Sequence, residues 1–181
     1  MNILKWIVNL IKILNSNQAP GQVAGGVAFA FMLALIPANN LLWILLFVVT
    51  FFLKVHNGIE SLFIIIFKTF IFVFDPILDS LGYLVLTLPS LQNFFTYFAN
   101  LPLALYTNFN NSIVMGGLVL GLILWIPIYF IFVGLIKYYR NTLREKIMNS
   151  KIVKWFMNLP LVSAISQISG KASRIFSIHN Q

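Results

Sequence analysis

Apolar runs separated by short polar breaks make up most of this chain. Within residues 1–19, Ile3, Trp6, Ile7, Leu10 and Leu14 share one helical face, and Lys5, Asn9 and Lys12 share another. That pattern predicts an amphipathic helix too short and too polar to span a bilayer, lying in the membrane interface. The break SNQAPG precedes a small-residue helix over residues 22–36, in which Gly26, Ala30 and Ala34 recur every four positions. Such a stripe lets another helix approach closely. Pro37 ends this helix, Asn39 and Asn40 make the turn, and residues 41–53 form a second apolar segment. Both segments fall short of the ~20 residues a bilayer span needs. They are either a re-entrant hairpin shielded by protein or two short spans that thin the bilayer, and the hairpin is preferred.

Residues 60–88 read ESLFIIIFKTFIFVFDPILDSLGYLVLTL, nearly all apolar, yet they carry Glu60, Lys68, Asp75 and Asp79. On a continuous helix Lys68, Asp75 and Asp79 fall within about 20° of one line. Charges within a membrane segment face protein or water rather than lipid, so this stripe is the first candidate for function. An equally plain role is a Lys68–Asp75 ion pair locking two helices together. Some thirty helical residues measure about 45 Å against a hydrocarbon core of about 30 Å, so the segment must tilt or kink, and Pro76 predicts where.

Residues 89–109 are richer in Asn and aromatics, including Phe94, Phe95, Tyr97, Phe98 and Tyr106, and suit a helix lying in the far interface. Residues 110–136 make the clearest transmembrane helix, with Gly117 and Gly121 spaced for packing and Pro127 expected to kink it. Beyond it, residues 137–181 carry Lys137, Arg140, Arg144, Lys151 and Lys154 among Ile152, Val153, Trp155 and Phe156, a basic amphipathic tail suited to an anionic membrane surface. The domain plan is therefore residues 1–19, a membrane domain over 20–136, and the tail.

Composition strengthens the membrane assignment. The 181 residues are 60% hydrophobic and 9% charged, against about 25% charged in soluble domains. The net charge of +8 comes from a clustered source, because eight of twelve Lys/Arg follow Ile136. Beside a span this marks the cytoplasmic side rather than a nucleic-acid partner. No Lys or Arg occurs between Lys68 and Lys137, which places that intervening stretch on the translocated side and both termini in the cytoplasm. The whole reads as an all-α, multi-pass membrane protein. Cysteine is absent, and no nucleophile–base pair, metal-ligand spacing or phosphate loop occurs. His56, in the polar turn KVHNG, and His179 stand alone. No enzyme activity, metal or cofactor is expected.

Ordered blocks along the chain carry a resemblance. They are Leu14-Asn15-Ser16 with Pro20, Gln22 and Ala24; Ile36-Pro37 with Asn40-Leu41-Leu42; Val55 with Asn57; Asp75-Pro76 and Asp79-Ser80-Leu81-Gly82; Leu86-Thr87; Phe109-Asn110-Asn111-Ser112 leading to Val114-Met115-Gly116; and Pro127 with Tyr138-Tyr139-Arg140. Over roughly residues 1–150 the chain resembles the small bacterial inner-membrane proteins of domain of unknown function 2062. His56 departs from the basic residue that pattern has before the Asn. The resemblance implies a bacterial inner-membrane location and a large periplasmic partner, since such proteins are often encoded beside AsmA-like or TamB-like bridges with an apolar groove for lipids.

Three functions follow as expectations. The first is a subunit of an inter-membrane phospholipid transport complex, forming the membrane base of such a bridge, with Lys68, Asp75 and Asp79 contacting lipid. The second is a small oligomeric transporter or channel in which Asp75 and Asp79 titrate. The third is a structural anchor whose Gly26, Ala30, Ala34, Gly117 and Gly121 pack on a partner's helix.

Overall fold

The computed structural model describes residues 19–143; the expected amphipathic N-terminal helix, and Arg144, Lys151 and Lys154 of the basic tail, lie outside the described residues. Described residues up to Ile136 belong to one compact unit, and those from Lys137 onward to a second. Among the described residues every regular element is helical.

Helix α1 runs Pro20–Leu35. Pro20 suits a first helical position because its missing N–H would have no partner there. The helix stops because Ile36 precedes Pro37 and takes an extended conformation (φ −95°, ψ 130°). α2 follows as Leu41–Phe52, capped by Asn40, whose side chain accepts from the Trp43 N–H at 2.8 Å. It returns beside α1, since Trp43, Leu46 and Phe47 pack on the core formed by Ala30, Leu33 and Ile64. At 16 and 12 residues these helices measure roughly 24 and 18 Å.

α3, Asn57–Phe70, runs parallel to α1 and makes the largest helix–helix contact. The register is explicit. His56 N–H donates to Gln22 O at 3.0 Å, Gly26 lies against His56 O and the Glu60 nitrogen, Leu33 meets Ile64, and Lys68 reaches Ile36 O. α1 is therefore surrounded, with 11 of its 16 residues buried, whereas α2 buries only Thr50.

A 3₁₀ turn, Ile71–Phe74, separates α3 from α4, Asp75–Leu86. The expected Pro76 kink takes this form. Pro76 has no N–H to give the Phe72 carbonyl four residues back, and the Asp75 N–H takes that carbonyl instead. The expected single interfacial helix over residues 89–109 is instead three short pieces, the 3₁₀ turn Pro89–Leu91, α5 at Gln92–Ala99, and the 3₁₀ turn Ala104–Thr107. Pro102 removes a backbone donor, and Leu103 (φ 70°) and Asn108 (φ 53°) adopt left-handed backbone that no helix continues through.

α6, Ser112–Tyr138, continues through Pro127 and ends in a π turn, Tyr139–Leu143. It runs antiparallel to α1. Gly117 meets Leu35 O, Gly121 meets Met32, Trp125 packs edge-on to Phe29, and the Tyr129 hydroxyl lies at Gly21. Two helical runs, Asn57–Leu86 and Ser112–Thr142, are long and apolar enough to cross a membrane. Their outward positions are large and apolar, including Ile65, Phe70, Phe72, Val73, Leu122, Ile126, Phe130 and Ile131, all exposed.

Candidate functional site

Polar side chains in this body gather at three places. The first is the hairpin tip. Ending α1 at Leu35 and turning at Pro37 leaves carbonyls without helical partners. Three side chains take them. Trp43 Nε1–H donates to Leu33 O at 2.8 Å, Lys68 Nζ to Ile36 O at 2.8 Å, and Asn40 Nδ2 to Pro37 O at 2.7 Å. The Lys68 ammonium thus sits at the negative end of the α1 dipole, a favourable place for a cation. Half-buried, it keeps two further N–H donors. Beside the tip an open groove of about 570 Å³ is lined by Ala38, Asn39, Asn40, Leu41, Ile44, Leu103 and Tyr106.

The second place is the crossing of α4 and α6. Ser112 Oγ donates to Asp79 Oδ1. Gly82 and Gly116 bring the two backbones into contact, so that a Cβ on Gly82 would stand 1.8 Å from Ser112 O. Asp75, on the preceding turn of α4, is half-buried.

The expected stripe of Lys68, Asp75 and Asp79 is not one line. A 3₁₀ residue turns 120° rather than 100°, so the four residues Ile71–Phe74 shift the phase by roughly 80°. Lys68 consequently serves α1 and Asp79 serves α6. Lys68 and Asp75 make no direct ion pair among the described residues: the Lys68 amine donates to Ile36 O, and Asp75 acts on it through its charge alone. Gly26, Ala30, Ala34, Gly117 and Gly121 are all buried within this chain: Gly26 faces α3, Ala30 lies in the core with Ile64, and Gly117 and Gly121 face α1. Lys137 is exposed and Arg140 half-buried.

The third place, at the root of the hairpin, was not singled out by the sequence. Glu60, in the first turn of α3, is 0% exposed. Thr50, also 0% exposed, brings its hydroxyl beside the carboxyl. That hydroxyl donates to Phe47 O at 2.6 Å, and both Glu60 oxygens stand without a hydrogen bond among the described residues, as does Asn57 Nδ2 one turn earlier. An ionised carboxylate left this way costs several kcal/mol. The signal was available, because steps of four back from Lys68 reach Ile64 and then Glu60, a stripe matching the step of Gly26, Ala30 and Ala34. His56 has a structural task here: it caps α3, its Nδ1 accepting from the Ile59 N–H at 3.1 Å.

Among known proteins, one relative is an uncharacterized protein of Treponema pallidum (strain Nichols), 35% identical over 159 residues that cover 88% of this chain and 98% of the relative. No protein-family profile matches the chain, and no solved structure matches it.

Proposed function

The chain belongs to one family with the Treponema pallidum protein, and from its own geometry we propose that it is a bacterial inner-membrane, multi-pass subunit that handles phospholipid, the membrane base of an inter-membrane bridge. The observation that carries this reading is the half-length hairpin with a paired tip. Helices of roughly 24 and 18 Å cannot cross a hydrocarbon core of about 30 Å, and a backbone turn at half depth is tolerable only when its polar groups are satisfied by protein. Trp43, Lys68 and Asn40 satisfy them.

A re-entrant hairpin thins the apolar layer locally and brings a cation into it. The two free donors of Lys68 hold a headgroup phosphate. The adjoining groove opens past Ile44 onto the exposed α2 face of Leu45, Val48 and Val49, where an acyl chain lies. Asp75, half-buried one helical segment away, balances the lysine when no lipid is bound. The resemblance to domain of unknown function 2062 supplies the partner class, a large periplasmic AsmA-like protein whose apolar groove receives the tails. Both termini lie in the cytoplasm in this arrangement, with the lysine-free residues 69–136 reaching the far face. The small residues a pure anchor would offer to a partner's helix are taken up inside the chain, which favours lipid handling over anchorage.

The test is purification in mild detergent with mass spectrometry of what accompanies the protein, followed by phospholipid delivery measured for Lys68→Ala, Lys68→Arg and Asp75→Ala at matched abundance. Bound phospholipid together with an elongated periplasmic partner is expected, with delivery lost in Lys68→Ala and partly restored in Lys68→Arg. Full delivery by Lys68→Ala refutes the site, and a preparation free of phospholipid refutes the function.

A further inference from the structure

We infer that Glu60 is a proton-binding site at the root of the hairpin, and that release of its proton frees the returning end of α2 from α3. This site is independent of the lipid reading, and its hydrogen bonding sets it apart. The hairpin tip has its carbonyls paired, while the root holds three buried polar atoms without partners: both Glu60 oxygens and Asn57 Nδ2. Native interiors leave few such atoms, and each marks a site or a stored cost.

Among the described residues of this unit, no cation is set against the carboxyl. α1 (Pro20–Leu35) and α2 (Leu41–Phe52), which bring Gly26 and Thr50 against this turn, contain no ionisable residue. Between Ser112 and Ile136, α6 contains only Tyr129, whose hydroxyl lies at Gly21. On its own helix Glu60 has Lys68 two turns on, engaged with Ile36 O, and His56 behind it, whose Nδ1 is occupied as an acceptor from the Ile59 N–H. Lys54 sits exposed in the connecting turn.

Two forces then oppose each other. Closed packing excludes water, and desolvation favours the neutral acid. Position in the first turn of α3 favours the carboxylate, through the positive end of the helix dipole. The closed, dry root sets desolvation against the dipole, whereas once water enters the dipole and hydration act together. The element that yields is α2. Its single buried residue is Thr50, whose hydroxyl donates within its own helix to Phe47 O, and what holds its final turn to α3 is the approach of that hydroxyl to the Glu60 carboxyl. The event moves one proton: the carboxylic O–H gives it to water entering by the Lys54–Asn57 turn, and no other covalent bond changes.

The chain has no cysteine and only two glutamates, Glu60 and Glu145, so two clean probes exist. The full chain, labelled with ¹³C-carboxyl glutamate and placed in phosphatidylethanolamine–phosphatidylglycerol vesicles, is followed by infrared spectroscopy against pH. Val55→Cys, whose parent side chain packs on Gly25, is in parallel labelled with a maleimide in the wild-type and Glu60→Gln backgrounds. The expected result is a ¹³C-shifted protonated-acid band at neutral pH that is lost as pH rises and is absent from Glu60→Gln. Across the same step, labelling in the wild-type background rises relative to Glu60→Gln by about tenfold per pH unit, the linkage of one proton to one opening. Absence of a protonated-acid band at neutral pH from the unaltered protein overturns the proposal, as do parallel labelling profiles in the two backgrounds. Glu145→Gln, which leaves Glu60 the sole glutamate, assigns the infrared band whether or not Glu60→Gln folds.

Discussion

Gly116→Ala should be among the most damaging small substitutions in this chain, and Gly134→Ala, on the same helix, should be harmless. A Cβ on Gly116 would stand 1.9 Å from Leu78 O and 3.0 Å from Leu78 Cα, both backbone atoms that no side-chain rotation can move. α4 and α6 would have to separate by roughly 1.5 Å to reach ordinary contact. α6 has little room to retreat, because Gly117 already lies against Leu35 O on the α1 side. Overpacking of this kind costs about 1–3 kcal/mol, and separation also stretches the Ser112–Asp79 hydrogen bond, worth about 1 kcal/mol. Against these stands the helix-propensity gain of Gly→Ala, about 1 kcal/mol. The net is a loss of about 1–3 kcal/mol. A Cβ on Gly134 meets nothing within 4 Å, so only the propensity gain of up to about 1 kcal/mol remains. Two chemically identical changes on one helix therefore differ by about 2–4 kcal/mol, a separation of about 10 °C in melting temperature for a chain of this size. Thermal unfolding in detergent, followed by helical circular dichroism, measures it. Coincident melting curves for Gly116→Ala and Gly134→Ala would refute the backbone contact between α4 and α6.

The remaining predictions concern the hairpin and the α3–α4 break. Lys68→Met orphans the Ile36 carbonyl and should cost about 1–3 kcal/mol, with Lys68→Arg recovering most of it; equal stability of the two variants in a denaturant titration would contradict the capping role. Asn40→Ala removes both the cap on the Trp43 N–H and the bond to Pro37 O, and should lower stability by about 1–2 kcal/mol while speeding hydrogen exchange at the Trp43 amide about tenfold or more. Pro76→Ala restores an N–H that can bond Phe72 O, so the 3₁₀ turn should anneal into one helix. The new amide at position 76 would be protected from exchange, and a rapidly exchanging one would show that Pro76 is not what holds the break.

Much of the architecture was legible because local sterics set it. Pro37 ends α1, the apolar runs at 60–88 and 110–136 anticipated the long helical runs Asn57–Leu86 and Ser112–Thr142, and the step of four in Gly26, Ala30 and Ala34 marked a face for close packing, although α1 begins at Pro20 inside the expected break. What that face packs against was not legible. The parallel pairing of α1 with α3 joins residues more than thirty positions apart, and no local pattern encodes it. The charged stripe failed for a related reason. Pro76 announces a break, but nothing in IFVF says that the break is a full 3₁₀ turn that resets helical phase, and the stripe depended on phase. Glu60 was visible as an acidic residue but not as a buried one, since its burial needs Gly26 and Thr50 to arrive from two other helices. In the outer segment the aromatic content was informative and the continuity was not, because Leu103 takes a left-handed backbone that leucine rarely adopts.

The two ends of the hairpin are built on opposite principles, and this constrains how it can move. Its tip is held by three hydrogen bonds from side chains to carbonyls, one of them from the Lys68 amine set at the negative end of α1. Breaking it means stranding carbonyls in an apolar body, so the tip resists opening. Its root, among the described residues, has only the Thr50 hydroxyl beside the Glu60 carboxyl between α2 and α3, and is otherwise closed by apolar packing. Any excursion of α2 therefore pivots at the Pro37–Asn40 turn and swings the Thr50 end outward. Such a swing widens the Ile44–Val48 face that continues the groove at the tip while leaving Lys68 in place. In the proposed membrane setting, the proton at Glu60 would then govern the room available to a lipid chain, and Lys68 would hold the headgroup where it is.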